Sequence, residues 1–131
     1  MIYETIYKRL SHEILPALDG IDIGGSVKLT APFGMDLHID VLNRNSKGLT
    51  ISLAHYYEKH FDLVPDPDMV VKVHTNDNTE ISGMAEAISY QDIFGYQVVD
   101  VQSAEGRKHR KMLNNFLAKW LLDICTQGYS L

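Results

Sequence analysis

Alternation of apolar and polar residues in the middle of the chain limits the fold more than any other feature of the sequence. In MDLHIDV (35–41), one set of alternate residues is apolar and the other is polar. Successive side chains of a strand point to opposite faces, so the pattern predicts a strand with one buried face. The other predicted strands are residues 27–31, 49–53, 69–75, 84–90 and 96–101.

Both ends of the chain have the helical period instead. The first apolar stripe consists of Ile2, Ile6, Leu10 and Ile14. It predicts a helix that ends between residues 15 and 19. The second stripe, between residues 107 and 126, consists of Leu113, Phe116, Leu117, Trp120, Leu121, Ile124 and Cys125. Ser103 is in the region of its expected N-cap, and Gly128 is where a glycine commonly follows a helix.

Short polar segments separate the predicted strands. Residues 32–34, 43–48 and 92–95 are rich in turn-forming residues. The stretch HYYEKHFDLVPDPDM (55–69) differs, because Pro65 and Pro67 have no backbone N–H to give to a strand ladder. It is therefore predicted to be a strand end, with His55 and Tyr57, followed by a rigid connector that holds Asp66 and Asp68.

The order of helix, strands and helix predicts an α+β fold with an antiparallel meander of five or six strands. The inward faces of the strands need a cover, and the N-terminal and C-terminal helices supply it. We expect a two-layer sandwich with both helices on one face of the sheet. The chain of 131 residues fits a single domain over residues 1–131.

The composition is that of an ordinary soluble globular protein. Apolar residues make up 45% of the chain and charged residues 22%. No apolar run reaches the ~18 residues of a membrane span. The single cysteine, Cys125, forms no disulfide within the chain and lies on a helical stripe. We expect a cytoplasmic protein without contact with a membrane.

Charge favours some partners over others. The formal net charge is −5, which does not favour binding to nucleic acid through its phosphates. A local exception is the basic cluster, which consists of Arg107, Lys108, Arg110 and Lys111. It predicts either the solvated start of a helix or a contact with phosphate.

A first candidate site lies on the strand at 35–41. Asp36, His38 and Asp40 project in parallel because they are two residues apart. Carboxylates with an imidazole can bind a divalent metal or a polar ligand. A solvated sheet face with alternating polar residues explains the same spacing.

A second group of candidates lies in and near the stretch 55–69. His55 and Tyr57 continue the inward register of the preceding strand, so they are either core residues or, with His38 and His74, ligand-binding residues. Acidic residues there could supply oxygen ligands to a metal ion, or bond to nearby backbone N–H groups of a turn. They are Asp62, Asp66 and Asp68.

The chain lacks the short motifs of common enzyme classes. It contains no GxSxG, no P-loop, no GxGxxG after a strand, no HExxH and no CxxC. This favours a binding or adaptor protein without catalytic activity or cofactor. Alternatives are a metal-dependent hydrolase that uses the His and Asp residues above, and a nucleic-acid accessory protein that uses the basic cluster. An edge strand could also pair with a second copy to form a homodimer.

Two segments together resemble a known group of proteins. They are HYYEKHFDLVPDPDMVVKV and NNFLAKWLLDICTQG. The pair resembles small bacterial proteins of unknown function, of the YqiB-like kind, sometimes found beside mobile elements. The resemblance covers roughly residues 49–75 and 108–128 and implies the order of helix, strand meander and helix. His60 and Phe61 stand where those relatives often have Asn-Gly. No reaction is implied.

Overall fold

A computed structural model describes residues 1–59, 62–74, 83–100 and 102–131. For residues 57–59, 62, 63 and 65 the description is limited to the backbone. Along the sequence, six strands lie between an N-terminal and a C-terminal helix. The elements are α1 (Ile2–Ala17), β1 (Ser26–Leu29), β2 (Leu37–Asn45), β3 (Gly48–Lys59), β4 (Asp62–His74), β5 (Met84–Asp92), β6 (Gly95–Val98) and α2 (Ala104–Thr126).

The six strands form one antiparallel sheet in which each strand pairs with its neighbours in the sequence. The spatial order is β1-β2-β3-β4-β5-β6. This confirms the predicted α+β fold with a β-meander and two covering helices. Short turns make the order possible: Ser46 and Lys47 connect β2 to β3, and Ile93 and Phe94 connect β5 to β6.

One apolar core lies between the helices and the inward face of the sheet. It combines residues from α1, from the strands and from α2, and its largest fully buried side chains have less than 2% of their surface exposed. These are Ile6, Leu10, Ile14, Leu18, Leu29, Leu37, Ile39, Ile51, Leu53, Met69, Leu117 and Leu121. The apolar residues that recur with the helical period and those that recur with the strand period thus all face the same core.

Specific polar contacts fix where the helices end. The Ser103 hydroxyl accepts a hydrogen bond from the Gly106 N–H (2.9 Å) at the start of α2, as the sequence predicted. Gly128 follows α2 with a φ of +78°, a conformation that glycine adopts without strain. After α1, the Arg44 guanidinium donates to the carbonyls of Leu18 (3.2 Å) and Ile21 (3.1 Å). A strand residue therefore bonds to carbonyls of the turn that follows α1.

Asn114 connects α2 to the sheet. Its Oδ1 accepts a hydrogen bond from the Ala87 N–H of β5 (2.8 Å), and its Nδ2 donates to the Arg110 carbonyl (2.8 Å). Asn114 is buried, with 1% of its surface exposed. It satisfies the N–H of Ala87, which lies before the part of β5 that pairs with β6, Ser89–Asp92.

The strand end predicted at the start of the stretch 55–69 is confirmed, but the rigid connector predicted around Pro65 and Pro67 is wrong. β3 continues to Lys59 and β4 begins at Asp62, so most of this stretch belongs to two paired strands. Pro65 and Pro67 fit because β4 pairs with β5 only from Asp68 onwards. Before that residue β4 has a described partner on one side alone, and a missing N–H is tolerated there.

The other strand boundaries differ by a few residues. β2 begins at Leu37, so Asp36 lies just before the strand and not in it. β6 ends at Val98 and is shorter than the predicted strand at 96–101. Within the part of the chain that the structure describes, no helix is long and apolar enough to cross a membrane.

Trp120 provides a test of the core. Trp120 is 8% exposed and packs against the ring of His55, with 5.3 Å between the centroids. We expect Trp120→Ala to lower the free energy of unfolding by about 3–5 kcal/mol, because a large buried ring is removed. Urea denaturation measures the change. Leu122→Ala is the control on the same helix, since Leu122 is 46% exposed, and it should cost less than about 0.5 kcal/mol. Equal effects would contradict the burial of Trp120.

Asn114 provides a second test. Asn114→Ala leaves the Ala87 N–H without its partner, and we expect the free energy of unfolding to fall by about 1–3 kcal/mol. Asn115→Ala is the matched control, because Asn115 is exposed on the next position of the helix. Hydrogen exchange of the Ala87 amide is the direct readout. Unchanged protection of this amide in Asn114→Ala would refute the bridge.

Candidate functional site

The face of the sheet opposite the helices, here called the open face, carries polar side chains from strands across the whole sheet. Two neighbouring rows of cross-strand partners run across it. One row is Lys28, His38, Ala54, Asp68, Gln91 and Tyr96, and the other is Ser26, Asp40, Ser52, Val70, Ser89 and Val98. The centre of both rows consists of small residues, so longer side chains from β2 and β4 can lean over them.

Ser52 holds the carboxylate of Asp68 at the centre of the open face. The Ser52 hydroxyl donates to Asp68 Oδ1 at 2.8 Å. Ser52 is also the cross-strand partner of Asp40. The carboxylates of Asp68 and Asp40 therefore flank one serine from opposite sides.

Two aromatic rings lie beside these carboxylates. His38 and Tyr56 pack edge to face, with 5.1 Å between ring centroids and an angle of 71° between planes. Together with the serine and the two carboxylates they form the open-face cluster, which consists of His38, Asp40, Ser52, Tyr56 and Asp68. Each strand β2, β3 and β4 contributes to it.

Burial and mutual repulsion shift the pKa values of two members of the cluster. Burial raises the pKa of Asp68, and the nearby Asp40 raises it further, while the hydrogen bond from Ser52 acts in the opposite direction. Burial also raises the pKa of Tyr56, with smaller contributions from Asp68 and Asp40. The Tyr56 phenol therefore keeps its proton at neutral pH and can donate a hydrogen bond.

No positive charge pairs with Asp40 or Asp68 among the residues that the structure describes. The described ion pairs join Lys28 to Asp36 (3.8 Å) and Arg110 to Glu86 (2.8 Å), and His74 contacts Glu86 at 3.2 Å. The open-face cluster thus holds two acidic groups that lack a described cationic partner.

His55 lies on the other face of the sheet, as the inward register predicted. Its Nδ1 is 3.0 Å from the carbonyl oxygen of Asp36. A carbonyl can only accept, so Nδ1 carries the hydrogen. The ring contacts Trp120 and lies 6.1 Å from the ring of Tyr129, between centroids. His55 is thus a half-buried, hydrogen-bonded residue on the helix side of the sheet, beside two buried aromatic rings.

His74 and Arg110, two other predicted site residues, meet at Glu86 of β5. Glu86 accepts a hydrogen bond from Arg110 Nη2 through one carboxylate oxygen and lies 3.2 Å from His74 Nε2 through the other. The Arg110 guanidinium lies 5.0 Å from the centroid of the Tyr3 ring. These residues, with Met84 and Ala85, line a cavity of about 190 Å³. The carboxylate of Glu86 thus already pairs with the positive charge of Arg110.

The basic cluster is accordingly divided. Arg107, Lys108 and Lys111 are exposed, whereas Arg110 is half-buried and bonded to Glu86. The helix presents three exposed basic residues of the predicted four.

Of the predicted metal ligands, His38, Asp40 and Asp68 belong to the open-face cluster, whereas Asp36 pairs with Lys28. Asp68 bonds to Ser52, whereas Asp66 lies close enough to Tyr90 to contribute to its pKa, which burial and Asp92 raise to about 12. Within the described ranges, no group of three or more His, Cys, Asp or Glu residues could hold a metal ion. The side chains of Tyr57 and Asp62, and the whole of His60, lie outside the described residues.

Glu86 and Tyr56 were not among the predicted site residues. Glu86 is a polar member of the alternating segment 84–90, and this signal could have marked it. Tyr56 could have been found from the same alternation that placed His55 inward, since the next residue of a strand points to the opposite face.

A comparison with protein families matches residues 9–130 to a domain of unknown function (DUF6908). The chain belongs to this family. The DUF6908 match confirms the resemblance to uncharacterised proteins, while the YqiB-like name remains a prediction. No curated protein and no solved structure matches the chain.

The shifted pKa of Asp68 predicts how stability depends on pH. A raised pKa means that the folded chain binds this proton more tightly than the unfolded chain does. The resulting stabilisation is complete below the ordinary pKa of 3.8 and is lost as the pH rises through the folded value. Asp68→Asn cannot ionise. We therefore expect the stability of the variant relative to the unmodified chain to increase with pH and then level off.

Thermal unfolding of both chains over a range of pH measures this difference. The control is Ser52→Ala, which removes the hydrogen bond that opposes the shift and should make the loss of stability with rising pH larger. A stability difference for Asp68→Asn that decreases as the pH rises would contradict the assignment.

Proposed function

We propose that the protein is a non-catalytic binding module that binds a cationic side chain of a protein partner on the open face of its sheet. The observation that carries this proposal is the pair of carboxylates that flank Ser52 without a described cation. The partner group would be the ammonium of a lysine or the guanidinium of an arginine.

Electrostatics favours such a ligand. Asp40 raises the pKa of Asp68, which means that the two negative charges repel each other. A cation placed between the carboxylates relieves this repulsion and gains charge-assisted hydrogen bonds. The net charge of −5 attracts basic partners over a longer range.

The rings of the cluster suit the same ligand. Faces of aromatic rings attract cations, and Tyr56 lies beside both carboxylates. Its protonated phenol offers a hydrogen bond to a backbone carbonyl of the partner. His38 supports the position of Tyr56 through its edge-to-face contact.

The state of Ser52 favours binding over catalysis. Ser52 is 6% exposed, and its hydroxyl donates to Asp68. A catalytic serine needs access to substrate and a base that takes its proton, which is usually an imidazole. Ser52 instead orients the carboxylate of Asp68. The metal-dependent hydrolase has no comparable observation in its favour.

Binding of a labelled octalysine peptide tests the proposal. We expect Asp40→Asn/Asp68→Asn to weaken binding about tenfold or more, because two charge-assisted contacts are lost. Fluorescence anisotropy at roughly 0.1 M salt gives the affinity and limits long-range effects of charge. Amide shifts in NMR spectra should be confined to β2, β3 and β4.

A matched control separates the site from the overall charge. Asp19→Asn/Asp123→Asn changes the net charge by the same amount at two exposed residues outside the sheet. It should change the affinity by less than about twofold, since its charges lie away from the site. Equal weakening by the two double substitutions would refute the open-face site, and so would amide shifts on the helices.

A further inference from the structure

The outer edge of β6 is exposed and uncharged. β6 is the last strand of the sheet, and all four of its residues are exposed. The segment IFGYQVV (93–99) contains no charged residue and no proline. Natural edge strands commonly carry lysine or proline, which prevent pairing with another chain.

The free backbone groups of this edge can be assigned from the pairing with β5. The Val99 N–H donates to the Ile88 carbonyl, and Val98 is the cross-strand partner of Ser89. Alternate residues of an antiparallel strand direct their backbone groups to opposite sides. Tyr96 and Val98 therefore direct their N–H and C=O groups away from β5.

This pattern is complementary to itself. If two copies of β6 run antiparallel with Gln97 opposite the partner's Gln97, Tyr96 comes opposite the partner's Val98. Each of these two pairs exchanges two backbone hydrogen bonds, so four bonds form. We propose that the chain forms a homodimer through this β6–β6 pairing, which joins the two sheets into one. The inference does not depend on the cationic ligand proposed above.

The side chains fit this arrangement. Tyr96 is 62% exposed and Val98 is 59% exposed, and both lie on the open face next to a groove that Val70 and Ile88 also line. In the dimer each tyrosine ring covers the partner's Val98. Gln97 points to the helix side, where it is hydrogen-bonded to His109.

The opposite edge of the sheet is less suited to pairing. By the same alternation, Ser26 and Lys28 direct their backbone groups away from β2, because the Val41 N–H donates to the Gly25 carbonyl. Lys28 places a charge on this edge. The next residue of this alternate set, Thr30, is already bonded to Ser130. The second copy is thus expected at β6.

Light scattering coupled to size-exclusion chromatography tests the proposal. We expect a mass of twice the 14.8 kDa chain as the concentration rises from micromolar to millimolar. Val98→Pro removes an outward N–H from each copy and should raise the dissociation constant about tenfold or more. Ser26→Pro makes the same change at the β1 edge and should leave the dissociation constant unchanged.

Three results would overturn the dimer. They are a mass of one chain at all concentrations, a dimer that Val98→Pro does not weaken, and equal weakening by the two proline substitutions. Circular dichroism confirms that the variants are folded. If Val98→Pro fails to fold, Tyr96→Lys takes its place and should weaken the dimer through repulsion at the edge.

Cross-linking tests the register. Residues at position 97 would form a non-hydrogen-bonded pair with Cα atoms ~4.5 Å apart, within the range that a disulfide spans. In a Cys125→Ala background, we expect Gln97→Cys to give an oxidised dimer on a non-reducing gel. Ile93→Cys is the control, because its two copies would lie on opposite sides of the two-fold axis. Efficient cross-linking of Ile93→Cys, or none of Gln97→Cys, would refute the register.

Discussion

Two helices can cover only one face of a six-stranded sheet, and the rest of the structure depends on this constraint. Six strands ~4.8 Å apart span about 24 Å. Two adjacent helices, each ~10 Å wide, span about 20 Å. Because α1 and α2 both pack on the face that carries Ile39, Ile51 and Val71, neither of these two described helices covers the opposite face. The polar residues that alternate with these apolar ones are left to meet solvent or a partner.

The alternation in the sequence predicts which residues share a face, because this depends on the backbone alone. His38, Asp40 and Ser52 could be assigned to the open face in this way, and His55 to the helix side of the sheet. The same rule could not predict which side chains of different strands meet. The contact of Ser52 with Asp68 depends on the register between β3 and β4, which includes an irregularity between Ala54 and Tyr56.

The prolines of β4 illustrate a second limit of the sequence. A proline removes one donor, and the cost depends on whether a neighbouring strand needs that donor. Pro65 and Pro67 lie before Asp68, where the pairing with β5 begins. The missing N–H groups are compatible with a strand because the structure describes a partner on one side only. Whether β4 has a second neighbouring strand at these prolines depends on where β5 ends. The sequence of residues 55–69 alone cannot predict that.

The open face and the β6 edge are connected by symmetry. Antiparallel pairing of two β6 strands around a two-fold axis perpendicular to the sheet places both open faces on the same side, since Tyr96 and the partner's Val98 are then cross-strand neighbours.

The open-face cluster is centred on β3, three strands from β6. Seven strand spacings of ~4.8 Å therefore separate the two clusters, or about 34 Å. A chain extended at ~3.4 Å per residue spans this distance with about ten residues. A partner with two basic groups at that separation would bind both clusters at once, and the second contact would form at a high effective concentration. Weak recognition of one cation by Asp40 and Asp68 would then be sufficient for a stable complex.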